Sequence, residues 1–205
     1  MMKSLAIKQQ PLLLPARFVA LFSMVFWAAT LTALPADAAL RQPTIIIPDS
    51  AFIEAVRDGD QEEVEAALVR GQAPDARDKV GTPALFVALQ FRQMDMFKFL
   101  IEKGARIRLK DRNGDTLLAV LADTKYLSLA DLILSLGADP DQFGSNGEPP
   151  IIIAARAGGL EMIRLLLHYD ADYDATDLTG RGALTIAEEG RFTGIVDLLR
   201  EVGAY

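Results

Sequence analysis

The sequence predicts an all-α solenoid made of about five helix–turn–helix repeats, and two observations support that fold class. The first is a period of 33 residues in one series of glycines: Gly81, Gly114, Gly147 and Gly180. The second is the same period of 33 in another register of the chain: Gly71, Gly104, Gly137, Asp170 and Gly203. Glycines at ordinary frequency rarely coincide in two registers, so the two series indicate an internal repeat.

Each period contains the same elements in the same order. About four residues after the turn glycine comes an apolar run, such as residues 85–89, which predicts a first helix buried on most sides. A second segment has apolar residues at i, i+3 and i+4, for example Met162, Leu165 and Leu166, and this spacing predicts an amphipathic second helix. The second helix is expected to end at a left-handed residue of the second series, a position that Asp170 takes in repeat four.

The two end repeats have the polar outer residues that a solenoid needs at its termini. In the first repeat, Asp60 is the predicted N-cap of the second helix, and Glu63 follows it at the spacing of a capping box. The last repeat carries charged residues in both of its predicted helices: Glu188, Glu189, Asp197, Arg200 and Glu201. Both ends are therefore expected to shield the apolar core from water.

Two segments carry a family resemblance. Residues 158–167 read Gly-Gly-Leu-Glu-Met-Ile-Arg-Leu-Leu-Leu, and residues 137–141 read Gly-Ala-Asp-Pro-Asp. At these positions the chain resembles the ankyrin repeat family, and the resemblance extends over residues 49–205. It implies an ankyrin repeat domain of five units: 49–78, 79–111, 112–144, 145–177 and 178–205. It also implies a protein that acts by binding other proteins on a concave face of loop tips and first helices.

The chain departs from the family pattern in two places. The histidine of the family's first helix is never present, and in repeats two to five its position is filled by Phe86, Ala119, Ile152 and Thr185. Repeat three also lacks the glycine between its two helices and has Leu121 where the other repeats have alanine. We therefore expect the fold to be kept and repeat three to be the least regular unit.

The first 38 residues have the pattern of an export signal. An apolar run spans residues 18–34, and Ala36 and Ala38 are small residues at positions −3 and −1 of a cut after Ala38. We expect residues 1–38 to be a cleaved signal peptide and residues 39–48 a short extended lead-in, with the repeat domain in the bacterial periplasm. The alternative is an uncleaved segment that anchors the protein in the inner membrane, facing the periplasm.

The composition excludes many kinds of catalytic site. The chain has no cysteine and one histidine, which removes thiol nucleophiles, thiolate metal sites and most histidine-based catalysis. Motifs that bind phosphates or dinucleotides do not occur either. We therefore predict a protein that is not an enzyme and has no cofactor. The formal net charge of −7 argues against nucleic acid as a partner. A membrane is expected as a partner only if the N-terminal segment stays uncleaved.

Two further features suggest a site but have a simpler interpretation. Residues 170–177 carry alternate carboxylates, as a calcium loop does, yet Ala175 and Arg181 stand where an EF-hand needs glycine and glutamate. His168 lies near the end of a predicted helix, where a histidine interacts favourably with the helix dipole. We expect a structural role for both features.

Alternating cations mark the loop that joins repeats two and three: Arg106, Arg108, Lys110 and Arg112. In an extended finger, a period of two places all four side chains on one side. They form either a solvated loop face or a local cationic patch for an acidic partner.

The predicted binding site is a patch for another protein on the concave face. The family resemblance directs five candidate residues toward that face: Phe91, Lys110, Arg112, Phe143 and Arg156. The apolar core pattern requires neither phenylalanine, and aromatic residues beside arginines are typical of interface hot spots. An alternative function is an envelope enzyme or metal-dependent accessory protein whose site uses carboxylates alone.

Overall fold

A computed structural model of the chain describes residues 50–204, and these residues form the predicted all-α solenoid. The helices in this range are α1 (Ala51–Asp58), α2 (Gln61–Val69), α3 (Ala84–Gln90), α4 (Met94–Glu102), α5 (Leu117–Ala122), α6 (Leu127–Ser135), α7 (Pro150–Arg156), α8 (Leu160–His168), α9 (Ala183–Glu189) and α10 (Thr193–Val202). Each odd-numbered helix packs against the even-numbered helix that follows it. The expected signal peptide, residues 1–38, and lead-in, residues 39–48, lie outside the described residues. Between residues 50 and 204, no helix is both long and apolar enough to cross a membrane.

Successive first helices stack on one another to form the inner layer of the solenoid. Helix α1 packs on α3, α5 packs on α7, and α7 packs on α9, whereas the backbones of α3 and α5 approach each other less closely. One buried series of residues accompanies this difference: Ala55, Ala88, Leu121, Ala154 and Ala187. Because the distance between packed helices depends on the size of the side chains at the contact, Leu121 accounts for the wider α3–α5 junction.

Carboxylates brace the turns that precede the first helices. Asp78, Asp111 and Asp177 each accept backbone N–H groups from the residues two and four positions later, at distances of 2.7 to 3.0 Å. The turn that leads into repeat four has Gly144 at this position, and there the carboxylate of Asp115, from the preceding turn, accepts the Ser145 N–H at 2.7 Å. A Cβ atom on Gly144 would lie 3.0 Å from the Asp115 carboxylate. The glycine therefore leaves room for Asp115 to take the place of the missing turn aspartate.

The left-handed positions at the ends of the second helices agree with the sequence pattern. Gly71, Gly104, Gly137 and Gly203 have φ values from 84 to 99°, and Asp170 has a φ of 61°. Asp60 caps α2 by accepting the Glu63 N–H at 3.0 Å, as expected. The reciprocal half of the capping box is replaced, because the Glu63 carboxylate binds Arg70 at 2.7 Å and the Asp60 N–H donates to the Ala55 carbonyl.

A further series with the period of 33 lies in the turn between the two helices of each repeat, and all but one of its members are left-handed: Gly59, Arg92, Lys125, Gly158 and Arg191. The two glycines have φ values of 78 and 70°, and the two arginines have φ values of 59 and 57°. Lys125 is the member of this series without a positive φ within the described residues. A side chain with a Cβ atom is strained in the left-handed region, so the two arginines store a local cost that the glycines avoid.

This strain predicts that replacing Arg191 with glycine stabilises the protein. In Arg191→Gly, the free energy of unfolding should rise by about 1 kcal/mol, since the left-handed penalty outweighs the entropic cost of glycine. Chemical denaturation of the full chain measures the change. Lys125→Gly is the matched control because its backbone is not left-handed, and it should give no gain. An Arg191→Gly variant no more stable than Lys125→Gly would contradict the strain.

The brace at Asp177 makes a second prediction, which concerns pH. The Thr179 hydroxyl group and the Arg181 backbone N–H hold the pKa of Asp177 well below its usual range. A depressed folded-state pKa stabilises the fold above the unfolded-state pKa of about 4, and this stabilisation is lost as the pH falls further. Asp177→Asn should therefore lower the free energy of unfolding at pH 7, and the difference from the wild type should shrink below about pH 4.

Urea denaturation at a series of pH values between 7 and 3 tests this expectation. The matched control is Asp174→Asn, because Asp174 is exposed and lies on the same loop. It should change the unfolding free energy little at any pH. A difference between Asp177→Asn and the wild type that stays constant down to pH 3 would show that the carboxylate charge is not what stabilises the turn.

Candidate protein-binding surface

Phe91 ends the first helix of repeat two and lies at the edge of a groove. It follows the last residue of α3, and its side chain is 43% exposed. The guanidinium group of Arg57, from repeat one, lies over the ring with its carbon 4.9 Å from the ring centroid. This cation–π contact holds an exposed aromatic ring in a fixed orientation, which favours its use as a binding contact.

The groove beside Phe91 has a volume of about 520 Å³ and lies at the wide α3–α5 junction; we call it the repeat 2–3 groove. Its apolar wall comes from both first helices and the turn after α5: Phe86, Leu89, Phe91, Val120, Leu121 and Tyr126. Its rim comes from the two preceding turns and from α1, and it includes the cations Arg57, Lys79 and Arg112. An apolar floor with a few charged groups at the rim is the usual composition of a binding cleft.

Arg112 is the one cation of this rim that belongs to the five candidate residues predicted from the sequence. It is exposed, lines the repeat 2–3 groove, and makes no hydrogen bond or ion pair within residues 50–204. The other three cations of the alternating run are held by neighbouring loops. Arg106 binds the Asp75 carboxylate through its backbone N–H at 2.7 Å, and Arg108 donates to the Gly137 carbonyl at 3.1 Å. The four cations are exposed and the residues between them are less so, as the period of two predicts. However, Arg106 contacts the loop before its own, whereas Arg108 contacts the loop after it.

Phe143 and Lys110 lie together outside the repeat 2–3 groove. Phe143 is 54% exposed in the loop that leads to repeat four, and the Lys110 ammonium group donates to its carbonyl at 3.4 Å. Neither residue lines the repeat 2–3 groove. The pair therefore presents a separate exposed aromatic ring next to the groove-bearing face.

Arg156 lies in a neighbouring groove and is already paired. Its guanidinium group makes two hydrogen bonds to the Glu148 carboxylate, at 2.7 and 2.5 Å, which raise the pKa of Arg156. This second groove has a volume of about 410 Å³ and is also lined by Asp115 and Asp123; we call it the repeat 3–4 groove. A bidentate ion pair satisfies both partners, so Arg156 presents a neutralised pair and not a free cation.

The five predicted residues are thus divided among three places. The structure brings Phe91 and Arg112 together in the repeat 2–3 groove and puts Arg156 in the repeat 3–4 groove. Lys110 and Phe143 come from two successive loops, contact each other and line neither groove. The sequence-based search did not select Leu121 and Tyr126, which complete the apolar wall of the first groove. The signal in the sequence that points to Leu121 is that it stands where the other repeats have alanine, because a larger side chain at a helix contact changes the helix spacing.

The acidic run and the histidine have structural contacts. The Asp172 carboxylate accepts the Asp174 N–H at 2.9 Å, Asp177 braces its turn, and the Asp172 N–H donates to the Asp141 carboxylate at 2.9 Å. In the described part of the chain, no three acidic or histidine side chains converge as they would around a metal ion. His168 ends α8 and packs edge-on against the Tyr169 ring, with the centroids 5.2 Å apart.

Comparisons with known proteins identify the family. The family model described as ankyrin repeats, in three copies, matches residues 52–144 and 128–205. An ankyrin repeat-containing protein of Schizosaccharomyces pombe is 33% identical over 66 residues, a segment that covers 32% of this chain and 32% of that protein. The chain therefore matches about a third of the length of that relative, and the family model matches nearly all of the described residues. On this match the chain belongs to the ankyrin repeat family, whose repeats generally mediate protein–protein interaction.

Proposed function

We propose that this chain is a non-enzymatic protein-binding module that holds its partner on the concave face, with the repeat 2–3 groove as the main contact. The observation that carries the proposal is the half-exposed Phe91 ring, fixed by Arg57 at the edge of a groove of about 520 Å³. Fixed aromatic side chains beside arginines are common binding hot spots. The turns around the groove are braced by Asp78 and Asp111, so the surface is largely formed before binding.

The interaction can be tested in intact cells with a photoreactive phenylalanine analogue in place of Phe91. We expect it to cross-link one defined protein. The same analogue at Leu136, which is 50% exposed at the end of α6, is the matched control and should not capture that protein. Equal capture from both positions, or no capture from Phe91, would contradict the proposed docking face.

The double variant Phe91→Ala/Phe143→Ala separates binding from folding. Because both rings are about half exposed, we expect the melting temperature to fall by about 5 °C or less, while capture of the partner is lost. Leu136→Ala is the control for removing an exposed apolar side chain, and it should retain capture. A double variant that melts far below the wild type, or that captures the partner as well as the wild type does, would place the contact elsewhere.

We also propose that the repeat domain acts in the bacterial periplasm after removal of residues 1–38. The support is the basic, apolar and Ala-x-Ala pattern of the N-terminal segment. Trp27 is the one tryptophan of the chain, so the mature protein should have no tryptophan fluorescence and a mass that begins at Ala39. A purified envelope form that retains Trp27 would instead indicate an inner-membrane anchor.

A further inference from the structure

We propose that the repeat 2–3 groove selects an acidic protein segment, in which a large apolar side chain enters the groove and neighbouring carboxylates meet the cationic rim. This inference rests on the proposed function, because it assumes that the groove binds a protein. It adds the chemistry of the segment that is bound. Three features of the groove support it: the spacing of the helices that open it, the apolar side chains that form its wall, and the charge of its rim.

The groove exists because repeats two and three are held apart. Leu121 is fully buried at a position where the four other repeats carry alanine, and it lines the groove together with Phe86 and Leu89 of α3. The α3–α5 junction is also the one at which the first helices approach less closely than at the other junctions of the described solenoid. A larger side chain at one contact thus separates two helices and leaves space at the concave surface.

The wall of this space accommodates an apolar side chain. The apolar surface that a partner can reach comes from the Phe91 ring, which stands at the edge under the Arg57 guanidinium group, and from the part-exposed Val120 and Tyr126. Beneath them lie the buried side chains of Phe86, Leu89 and Leu121. A volume of about 520 Å³ lies within the range of clefts that take a side chain or a small ligand. Burial of a partner's aromatic or large aliphatic side chain here would remove its apolar surface from water and so favour binding.

The rim has an excess of positive charge in a chain whose formal net charge is −7. Its cations are Arg57, Lys79 and Arg112, and its two carboxylates are Asp78 and Asp111. Both carboxylates face backbone N–H groups of their own turns, which reduces their effect on a bound segment. Charge complementarity therefore favours carboxylates in the partner beside its apolar side chain.

The adjacent repeat 3–4 groove has an excess of negative charge, which restricts how an acidic segment can lie on the surface. The repeat 3–4 groove is lined by Asp115, Asp123 and Glu148 against the single cation Arg156, which is already paired with Glu148. The two grooves are neighbours, since Val120 and Thr124 line both of them. An acidic segment is thus attracted at repeats two and three and repelled at repeats three and four, which limits the register in which it can bind.

Synthetic peptides test this selection by titration calorimetry with the full chain at low and at physiological salt. The probe is the peptide Gly-Ser-Glu-Leu-Phe-Glu-Asp-Ser-Gly. One matched peptide has lysine in place of each acidic residue, and another has serine in place of Leu-Phe. We expect the probe to bind about tenfold more tightly than either matched peptide, and its affinity to fall as salt is raised.

Variants of the protein assign the effect to the groove. Arg112→Glu should weaken binding of the acidic probe by about tenfold and strengthen binding of the lysine peptide, while Arg112→Gln should give a smaller loss. Lys98→Glu is the matched control, since Lys98 is an exposed residue of α4 that lines neither groove, and it should change neither affinity. Phe91→Ala should weaken binding of the acidic probe, whereas Phe143→Ala should leave its affinity unchanged. Circular dichroism of each variant confirms that it is folded.

Two results would overturn the selection: no binding of the acidic probe, or binding that is equal for the lysine peptide and insensitive to Arg112→Glu. These results differ from failure of the proposed function. If the groove binds a protein of other chemistry, cross-linking from Phe91 in cells persists and the captured segment is basic or neutral. If the docking face itself is wrong, cross-linking from Phe91 is lost.

Discussion

The distance between successive first helices is set by one residue of each repeat, and both the core and the candidate site depend on it. Alanine at this position lets α1 approach α3 and lets α7 approach α9. Leu121 enters the same series at the third repeat, where α3 and α5 lie farther apart. In a solenoid each repeat contacts only its neighbours, so a change of this kind acts mainly at the junctions of its own repeat.

The braced turns separate the residues that hold the fold from the residues that face a partner. Asp78, Asp111 and Asp177 brace their turns mainly by accepting backbone N–H groups, which any residue except proline can donate. The tip residues can therefore vary in charge without altering the backbone. Arg112 and Leu178 stand one repeat length from Lys79 and Ser145, and these differences give each junction its own surface. Selectivity for a protein partner can thus differ from one repeat to the next while the backbone of the turns stays the same.

Regular spacing made most of the fold predictable. The glycine series located the ends of the second helices, and the same register identified Asp170 as a left-handed residue before the structure showed its φ of 61°. The left-handed conformations of Arg92 and Arg191 were not anticipated, because arginine has no local preference for them and stacking of the helices imposes them. Long side chains were the least predictable part. Arg156 binds Glu148 on the preceding turn, a contact that depends on three-dimensional placement and not on spacing.

We propose that the partner lies across the turns and first helices of repeats two and three. Hydrogen–deuterium exchange of the full chain, with and without the protein segment cross-linked from Phe91, tests it most directly. The account predicts slower exchange of backbone amides in residues 79–91 and 111–126, with the second helices α4 and α8 unchanged. Slowing confined to α4, α6 and α8, or spread evenly over all five repeats, would contradict it.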